Sequence, residues 1–506
     1  MELLPAFLST FAILIFLFYY FSKNYNYWKI KGIPYIPGAV PGLGHVWPMI
    51  FLRENFPGMC KKLYKNAPGH SMVGFYHLVT PALLIRDPSL AKVILVNNFS
   101  SFHENQIQLD PHLDPLLSTH PFFNNGDAWK KSRVRVTNAF STRKLKVLLN
   151  SINGVCLKMS DYLSEKVSVE SFAELELKDL FSRYTAEVVA NAIFGIEGHA
   201  FDDKPNPRSF SEIGKVVFES TVLNGITQNL VFFLPKLARI CKVSLVPPGM
   251  DSFFRKTMKE VLESRKREDI VRNDFLQIMI DQEKVNHENI DESVIVSHAA
   301  SFFLDVYETS SISLSFLAFL IAHNPEIQEK SREEIKKVLC KFGGVVCYEA
   351  LQEMTYMEQV LNESMRLYPA AGSLMKICTE EFQLTGSDGI SCNVEPGTIL
   401  VIPTEAYHVD PLYWPNPDKF DPDRFSEEQK RNRNKFSFLP FGEGPRICVG
   451  MRLAVMQVKA AMVTILEKYS LEVSSKTQLP LKRDSKTLMS IAEGGLWIYV
   501  KRLVDF

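Results

Sequence analysis

The sequence feature that most constrains the fold is a long apolar stretch, Ser293 to His323, which Asn324-Pro325 closes. As a helix it would extend about 46 Å, and it is apolar nearly all round, so it must be buried in lipid or in a large protein core. His298, Asp305 and Glu308 lie within it, and ionisable groups at the centre of a membrane span are costly. The pattern therefore favours a helix that crosses the core of a large domain rather than one that spans a membrane.

The composition is that of a globular protein with reduced cysteines. Of the 506 residues, 46% are apolar and 23% are charged, which excludes a disordered chain. The 57 basic and 57 acidic residues cancel, so no nucleic-acid partner is expected. Eight cysteines are too few for a disulfide scaffold. Helical patterns dominate, such as one opened by Asp87-Pro88 and running to about Val96. Strand-like runs such as Ala82–Ile85 and Gly397–Ile402 are few, so we expect a mainly α fold with small β-sheets.

The N-terminus reads as a membrane anchor. Leu3 to Phe21 carries no charged side chain and would form a helix of about 28 Å, enough to cross a bilayer. A cleaved signal peptide is the competing interpretation, but Glu2 stands where a basic residue would be expected and no typical cleavage site follows. Lys23, Lys29 and Lys31 come directly after the span, which places the rest of the chain in the cytosol.

The chain after the anchor reads as one large domain behind a stiff connector. Gly32 to Gly42 is rich in proline, which restricts φ and removes hydrogen-bond donors. No comparable linker, repeat or low-complexity tract follows. We therefore expect an anchor over residues 1–22, a basic and proline-rich hinge over 23–48, and a single domain over 49–506.

The most specific motif is the stretch Phe441-Gly-Glu-Gly-Pro-Arg-Ile-Cys-Val-Gly450. Its glycines allow tight backbone and the close approach of a flat ligand. Cys448 precedes a helical pattern from about Val449 to Leu466, and a helix N-terminus favours a thiolate. Arg446 can hold an anionic group nearby. A thiolate on such a loop suits the axial ligand of a haem iron, whereas a lone glycine–cysteine pair would more often be a structural loop.

These residues follow the pattern Phe-x-x-Gly-x-Arg-x-Cys-x-Gly, and the chain resembles the cytochrome P450 superfamily of haem-thiolate monooxygenases. Three further motifs of that family stand in its order: Trp129-Lys-Lys-Ser-Arg133, Glu363-Ser-Met-Arg366 and Pro422-Asp-Arg424-Phe425. The resemblance covers the whole chain and is greatest to insect microsomal members, through Tyr27-Trp28-Lys29 and Glu308-Thr309-Ser310-Ser311.

The resemblance implies haem b with the Cys448 thiolate as its axial ligand. The other residues at haem-binding positions are Trp129, Arg133, Lys376, Phe441, Arg446 and Gly450. Lys376 stands where relatives usually carry arginine, and lysine lacks the two-pronged geometry that binds a carboxylate. A structural triad is implied for Glu363, Arg366 and Arg424.

The resemblance also assigns oxygen activation to an acid–alcohol pair, Glu308 and Thr309, which relays protons. The Thr309 hydroxyl can also bond back to the carbonyl of Asp305, and both roles are compatible. Two positions depart from the family, which usually has two small residues where this chain has Asp305 and Val306. A carboxylate on a buried helix should be paired or neutral, and Val306 should narrow the space above the haem.

The substrate is expected to be lipophilic: a xenobiotic such as a plant toxin or insecticide, or an endogenous hormone or lipid. The positions likeliest to line its pocket are Phe302, Val306, Ala371, Gly372, Ser373 and Leu374. By resemblance, Asn229 to Pro248 is a roof loop that dips into the membrane and admits substrate from it.

Electrons must come from a partner, since no flavin or nicotinamide fingerprint is present. The resemblance implies NADPH-cytochrome P450 reductase, with cytochrome b5 as a possible second donor, and a place on the cytosolic side of the endoplasmic reticulum. Basic residues on the haem-loop side would steer an acidic partner, unless they form an ordinary solvated face: Lys130, Lys131, Lys430, Arg431, Arg433 and Lys435.

Two alternative functions stay open beside a monooxygenase. One is a haem-thiolate isomerase or dehydratase that needs no external electrons. Such relatives often lack the alcohol found here at Thr309. The other is a non-catalytic haem protein that binds hydrophobic ligands.

Overall fold

The computed structural model describes residues 22–168, 171–202, 206, 209–247, 249–268, 274–285 and 292–503. The predicted anchor, Leu3 to Phe21, lies outside the described residues, as does Pro248 at the end of the predicted roof loop. The α-helices are α1 Tyr27–Ile30, α2 Trp47–Ile50, α3 Phe56–Lys65, α4 Pro88–Lys92, α5 Gly126–Thr137, α6 Thr142–Ser168, α7 Leu177–Val188, α8 Phe210–Phe218, α9 Val222–Phe233, α10 Pro235–Cys241, α11 Met250–Glu268, α12 Phe275–Val285, α13 Glu292–His323, α14 Pro325–Lys341, α15 Tyr348–Glu353, α16 Thr355–Leu367, α17 Thr404–His408, α18 Glu427–Asn432 and α19 Met451–Lys468. The strands are β1 Met72–His77, β2 Thr80–Ile85, β3 Glu104–Asn105, β4 Phe172–Glu176, β5 Leu374–Ile377, β6 Phe382–Thr385, β7 Ser391–Val394, β8 Ile399–Ile402, β9 Tyr469–Val473 and β10 Trp497–Arg502.

The mainly helical fold with small sheets is confirmed, and its contacts group into two compact units. Unit 1 comprises the described residues up to Gln106, Gly372–Pro415 and Asn434–Arg446. Unit 2 comprises Ile107–Ala371, Asn416–Arg433 and the described residues from Ile447 onward. The single domain over 49–506 stays a prediction.

Unit 1 is built on a mixed sheet in the order β1-β2-β8-β5-β3. β1 and β2 form an antiparallel hairpin, β2 pairs with β8 in parallel, and β8 pairs with β5 antiparallel. The two predicted strands are thus confirmed as β2 and β8. The Asp87 carboxylate accepts a hydrogen bond from the Ser89 amide at 2.7 Å, which caps α4 as predicted.

The segment predicted as a hinge packs onto this sheet. Trp28 is buried, and its indole Nε1 donates to the carbonyl of Phe75 at 3.0 Å. The ring lies against Gly74, where a Cβ would come within 2.3 Å of it. The Ile36 amide continues the contact by donating to the Gly74 carbonyl at 2.9 Å. The described part of 23–48 therefore belongs to the core of unit 1.

Unit 2 is organised around α13, which confirms the predicted helix to within one residue. Among the described residues it is the one helix long and apolar enough to cross a membrane, and 78% of its apolar window is buried inside the protein. Neighbouring helices satisfy its polar groups. Thr185 donates to the Tyr307 carbonyl at 2.9 Å, and Gln457 donates to the Ser310 hydroxyl at 2.6 Å. These contacts support a core helix.

A buried ion-pair network fastens the end of α16 to the segment that follows Pro415. Arg366 and Glu363 are fully buried and form a two-pronged pair, with N–O distances of 2.7 and 2.8 Å. The Arg424 guanidinium lies 3.4 Å from the same carboxylate, and the Asp421 amide donates to it at 2.9 Å. Arg366 also donates to the Pro417 carbonyl at 2.7 Å. The structure thus brings the predicted triad together.

Replacing Glu363 with glutamine should unfold the protein at a markedly lower urea concentration. Removing one partner of a buried pair leaves the other charge uncompensated, which costs about 3–5 kcal/mol in the free energy of unfolding. Asp423→Asn is the matched control, because Asp423 forms an exposed pair with Lys330 at 3.2 Å in the same region, worth at most about 1 kcal/mol. An equal loss of unfolding free energy in Glu363→Gln and Asp423→Asn would contradict the stabilising role of the buried pair.

Candidate active site

Positive φ angles and a close backbone contact fix the conformation of the glycine-rich loop. Gly442 and Gly444 both have positive φ, at 71° and 79°. At Gly444 a Cβ would stand 2.0 Å from the Leu95 carbonyl oxygen, so only glycine fits. Arg446, the last residue of unit 1, donates from Nε to the His103 carbonyl at 2.6 Å. Phe441, which opens the loop, is half-buried.

Cys448 stands at the start of the last part of unit 2, just before α19. That helix begins at Met451, two residues later than predicted, because Val449 and Gly450 form a turn. The amides of Gly450 and Met451 donate to the sulfur and favour the thiolate. The side chain is accessible on one side, yet the protein around it excludes most bulk water. This burial outweighs the amides and raises the pKa of the Cys448 thiol to about 11.

Helix α5 carries the next predicted pair. Trp129 is buried and Arg133, one turn later, is half-buried. Desolvation lowers the pKa of Arg133, while the charge on Cys448 acts in the opposite direction. The guanidinium is therefore close enough to Cys448 to interact with it. A cation on α5 thus acts on the cysteine, and the role of Trp129 and Arg133 in binding haem stays a prediction.

In unit 1, Lys376 and Arg446 form a second basic site. Lys376 lies on β5, is buried, and donates to the neutral side chain of Asn105 at 2.8 Å. Burial and, next, the charge of Arg446 lower the pKa of Lys376 to about 7. Two basic side chains that interact, one of them buried, suit an incoming anion. This observation supports Lys376 as an anion ligand despite the shape of its head group.

The acid and the alcohol of the predicted relay face different partners. Glu308 is buried, and its carboxylate accepts from Lys178 on α7 at 2.8 Å. Burial raises the pKa of Glu308, and the Lys178 charge partly opposes this rise. The Thr309 hydroxyl donates to the carbonyl of Asp305, as the alternative reading of this residue predicts. Glu308 and Thr309 are therefore not joined by a direct hydrogen bond.

Lys178 links Glu308 to a small cavity in unit 2. The lysine also donates to the Ser182 hydroxyl at 3.0 Å, and it is partly exposed. The cavity has a volume of about 20 Å³, enough for about one water molecule. Ser490 lines it and is fully buried, and its hydroxyl has no hydrogen-bond partner among the described residues. A water in this cavity would satisfy that hydroxyl.

Asp305 is paired as expected but is not buried. Its Oδ1 lies 3.2 Å from Nε2 of His120, and 53% of its side chain is exposed. The prediction of a buried carboxylate was wrong because this part of α13 leaves one side open. Neither His120 nor Lys178 was identified from the sequence, because each is more than a hundred residues from its partner and belongs to no motif.

The predicted pocket residues have varied surroundings. Phe302 is buried against Phe275, with ring centroids 4.0 Å apart, and Val306 is also buried. Ala371, the last residue of this part of unit 2, is exposed. In unit 1, Gly372 packs against Pro57, Ser373 bonds to the Gly372 carbonyl, and Leu374 reaches the haem-loop residue Gly442. Their role in substrate binding stays a prediction.

Comparison with known proteins agrees with this arrangement. The family model for cytochrome P450 matches residues 37–498. The chain is 31% identical to cytochrome P450 9e2 of Blattella germanica, over 94% of this chain and 93% of that protein. It is also 31% identical to cytochrome P450 6a2 of Drosophila melanogaster, over 97% of this chain and 98% of that protein. The chain therefore belongs to the cytochrome P450 family and is an oxidoreductase of the monooxygenase class.

Proposed function

We propose that Cys448 is the axial ligand of haem b and that the enzyme oxidises lipophilic molecules with O2 and electrons from a reductase. The observation that carries this proposal is the accessible Cys448 sulfur, which two backbone amides and Arg133 approach at the start of α19. Haem bound through a thiolate supplies the activation of O2 and the transfer of one oxygen atom to substrate. Coordination to a metal deprotonates a thiol outright, which offsets the burial that otherwise keeps Cys448 protonated.

The basic residues fit the two carboxylates of haem. In unit 2, Trp129 offers an indole N–H and Arg133 a guanidinium on one turn of α5. In unit 1, the buried Lys376 contacts the neutral side chain of Asn105 and interacts with the charge of Arg446. An anionic group bound there would be stabilised by both basic side chains. Phe441 opens the loop in unit 1, and Gly450 follows Cys448 in unit 2.

Glu308 and Thr309 would transfer the protons that the reaction consumes. Lys178 holds the buried Glu308 carboxylate and also lines the small cavity beside Ser490. A proton can therefore reach Glu308 from that side of α13. It passes toward Thr309 when Glu308 turns away from Lys178 or when a water bridges the two side chains.

The enzyme would work at the cytosolic face of the endoplasmic reticulum, with residues 1–22 as a single-pass anchor. Exposed apolar side chains on α9 and α10 support contact with lipid near the predicted roof loop: Val222, Leu223, Ile226, Leu237 and Ile240. The proposed substrates are plant toxins, insecticides or endogenous hormones and lipids. Access from the membrane favours lipophilic substrates.

The electron donor would be NADPH-cytochrome P450 reductase, with cytochrome b5 as a second donor. Of the predicted basic residues, Lys130, Lys131, Arg431 and Lys435 are exposed, and Lys130, Lys430 and Lys435 pair with carboxylates. Arg433 stacks on a phenylalanine, and burial lowers its pKa to about 10. The surface proposed to dock the reductase would therefore rely on fewer than the six basic side chains predicted from the sequence.

Carbon monoxide binding to the reduced protein tests the cysteine ligand. The wild-type protein should show the red-shifted band of a thiolate ligand, and Cys448→Ser should abolish it because an alcohol does not replace the thiolate. Cys156→Ser is the matched control, since Cys156 is a buried structural thiol on α6. Loss of the band in both variants, or in neither, would overturn the assignment. Product formation that requires NADPH and reductase would separate a monooxygenase from an isomerase or a binding protein.

Replacing Lys178 with methionine should change the pH dependence of turnover. Without this cation, the buried Glu308 carboxylate loses its stabilising charge and the pKa of Glu308 rises further. If Glu308 donates as an acid, turnover falls as pH rises through its pKa, so the fall should move to higher pH in the variant. The measurement is product formed per NADPH across a pH series. Lys215→Met, which removes an exposed lysine near Asp179, should leave the profile unchanged. The same profile in all three proteins would exclude Glu308 as this acid.

Charge reversal on α5 tests the electron donor. Lys131→Glu should slow the first electron transfer from reductase several-fold at low salt, and the difference should shrink at high salt as charges are screened. Lys337→Glu on α14 provides an exposed lysine elsewhere for comparison. The rate of reduction is followed by trapping the reduced protein with carbon monoxide. A salt dependence identical in the two variants would rule out steering by Lys131.

A further inference from the structure

Asp305 places a carboxylate where related proteins usually have a small residue. It lies one helical turn before Thr309, whose hydroxyl bonds to its carbonyl, and it interacts electrostatically with Cys448. More than half of its side chain is exposed. The carboxylate is therefore open to a ligand on the side of α13 nearest the cysteine.

The protonation state of its partner is fixed by the backbone. The Phe122 amide donates to Nδ1 of His120 at 3.0 Å, so this nitrogen carries a lone pair and the proton lies on Nε2. Nε2 then donates to Oδ1 of Asp305 at 3.2 Å. His120 is buried, and in this hydrogen-bond pattern it orients Asp305 as a donor and supplies no cation to it.

The other groups near this pair leave the charge in place. His298 is fully buried on the same helix, and burial and the charge of Arg135 lower its pKa to about 4, so it is neutral. Two arginines act on neighbouring groups: Arg133 interacts with Cys448, and the proposed function assigns it to haem, while Arg135 acts on His298. No ion pair joins Asp305 to a lysine or arginine in the described part of the chain.

Aromatic rings flank the histidine. Phe123 meets the edge of His120 with centroids 4.8 Å apart, and it stacks on Phe232 at 6.2 Å. Phe122 packs against Phe123 at 5.2 Å and is exposed. Aromatic faces attract cations, and a carboxylate that a ligand covers needs a compensating charge. A neutral hydroxyl would leave the net charge uncompensated.

We propose that Asp305, positioned by His120, binds the ammonium group of lipophilic amine substrates. This inference rests on the proposed function, because it describes a ligand of the same site. The hydrocarbon part of the amine would lie along apolar side chains such as Val306, and its ammonium would donate to the exposed carboxylate oxygen. The enzyme should therefore prefer cationic amines over neutral molecules of the same shape.

Equilibrium dialysis of the haem-loaded protein with two matched ligands tests the preference. N,N-dimethyldecylamine is cationic at neutral pH, and N,N-dimethyldecanamide is its neutral counterpart. Wild type should bind the amine at least about tenfold more tightly. Asp305→Asn should remove that difference by weakening the amine alone, and His120→Phe should weaken it partly. Asp161→Asn, which removes an exposed carboxylate on α6, should have no effect.

Several results would overturn the assignment. Equal affinity of wild type for the two ligands would do so without any variant, and so would an equal loss of both ligands in Asp305→Asn. The carbon monoxide band is recorded for each protein as a separate reading. A normal band without amine preference contradicts only the role of Asp305, whereas absence of the band in wild type contradicts the haem assignment.

Discussion

Burial of α13 is the constraint on which the rest of unit 2 depends. A helix this long and apolar gains its stability by packing, but every polar group that it carries must then find a partner inside the protein. The serines bond back to carbonyls of their own helix, while Thr185 and Gln457 bind it from neighbouring helices. Asp305 and Glu308 have partners from farther away, whereas neither ring nitrogen of the buried His298 has a hydrogen-bond partner among the described residues. Helix α7 supplies Lys178 for Glu308, and the segment before α5 supplies His120 for Asp305.

Two of the buried ion-pair systems in unit 2 differ in what they leave accessible. Glu363 and Arg366 are fully buried and saturated with hydrogen bonds, so their energy goes into fixing the chain around α16. Glu308 is equally buried, but its lysine reaches partly exposed surroundings and a water-sized cavity. A saturated pair resists change, whereas a pair with one accessible partner can exchange protons. The position of the partner, more than the burial of the acid, separates a structural role from a chemical one.

The sequence predicted the features that depend on residues close together in the chain. The cap at Asp87, the limits of α13 and the strands β2 and β8 all follow from patterns along a few residues, whereas the buried pair at Glu363 was predicted from the family resemblance. It predicted less well where distant segments decide the outcome. His120 and Lys178 could not be identified from the sequence as partners of Asp305 and Glu308, since a lone histidine or lysine has no preferred partner. The exposure of Asp305 depends on how the surrounding chain packs, which spacing along one helix does not contain.

Asp305 and Glu308 are neighbours on one helix face, i and i+3, yet the protein treats their charges in opposite ways. Two like charges at this spacing repel each other, and the repulsion grows as water is excluded. Lys178 compensates the charge of Glu308, which removes most of that repulsion from Asp305. The neutral His120 orients Asp305 without cancelling its charge. The cation on α7 therefore does more than hold the relay acid, because it also preserves a negative charge one turn away for a ligand to meet.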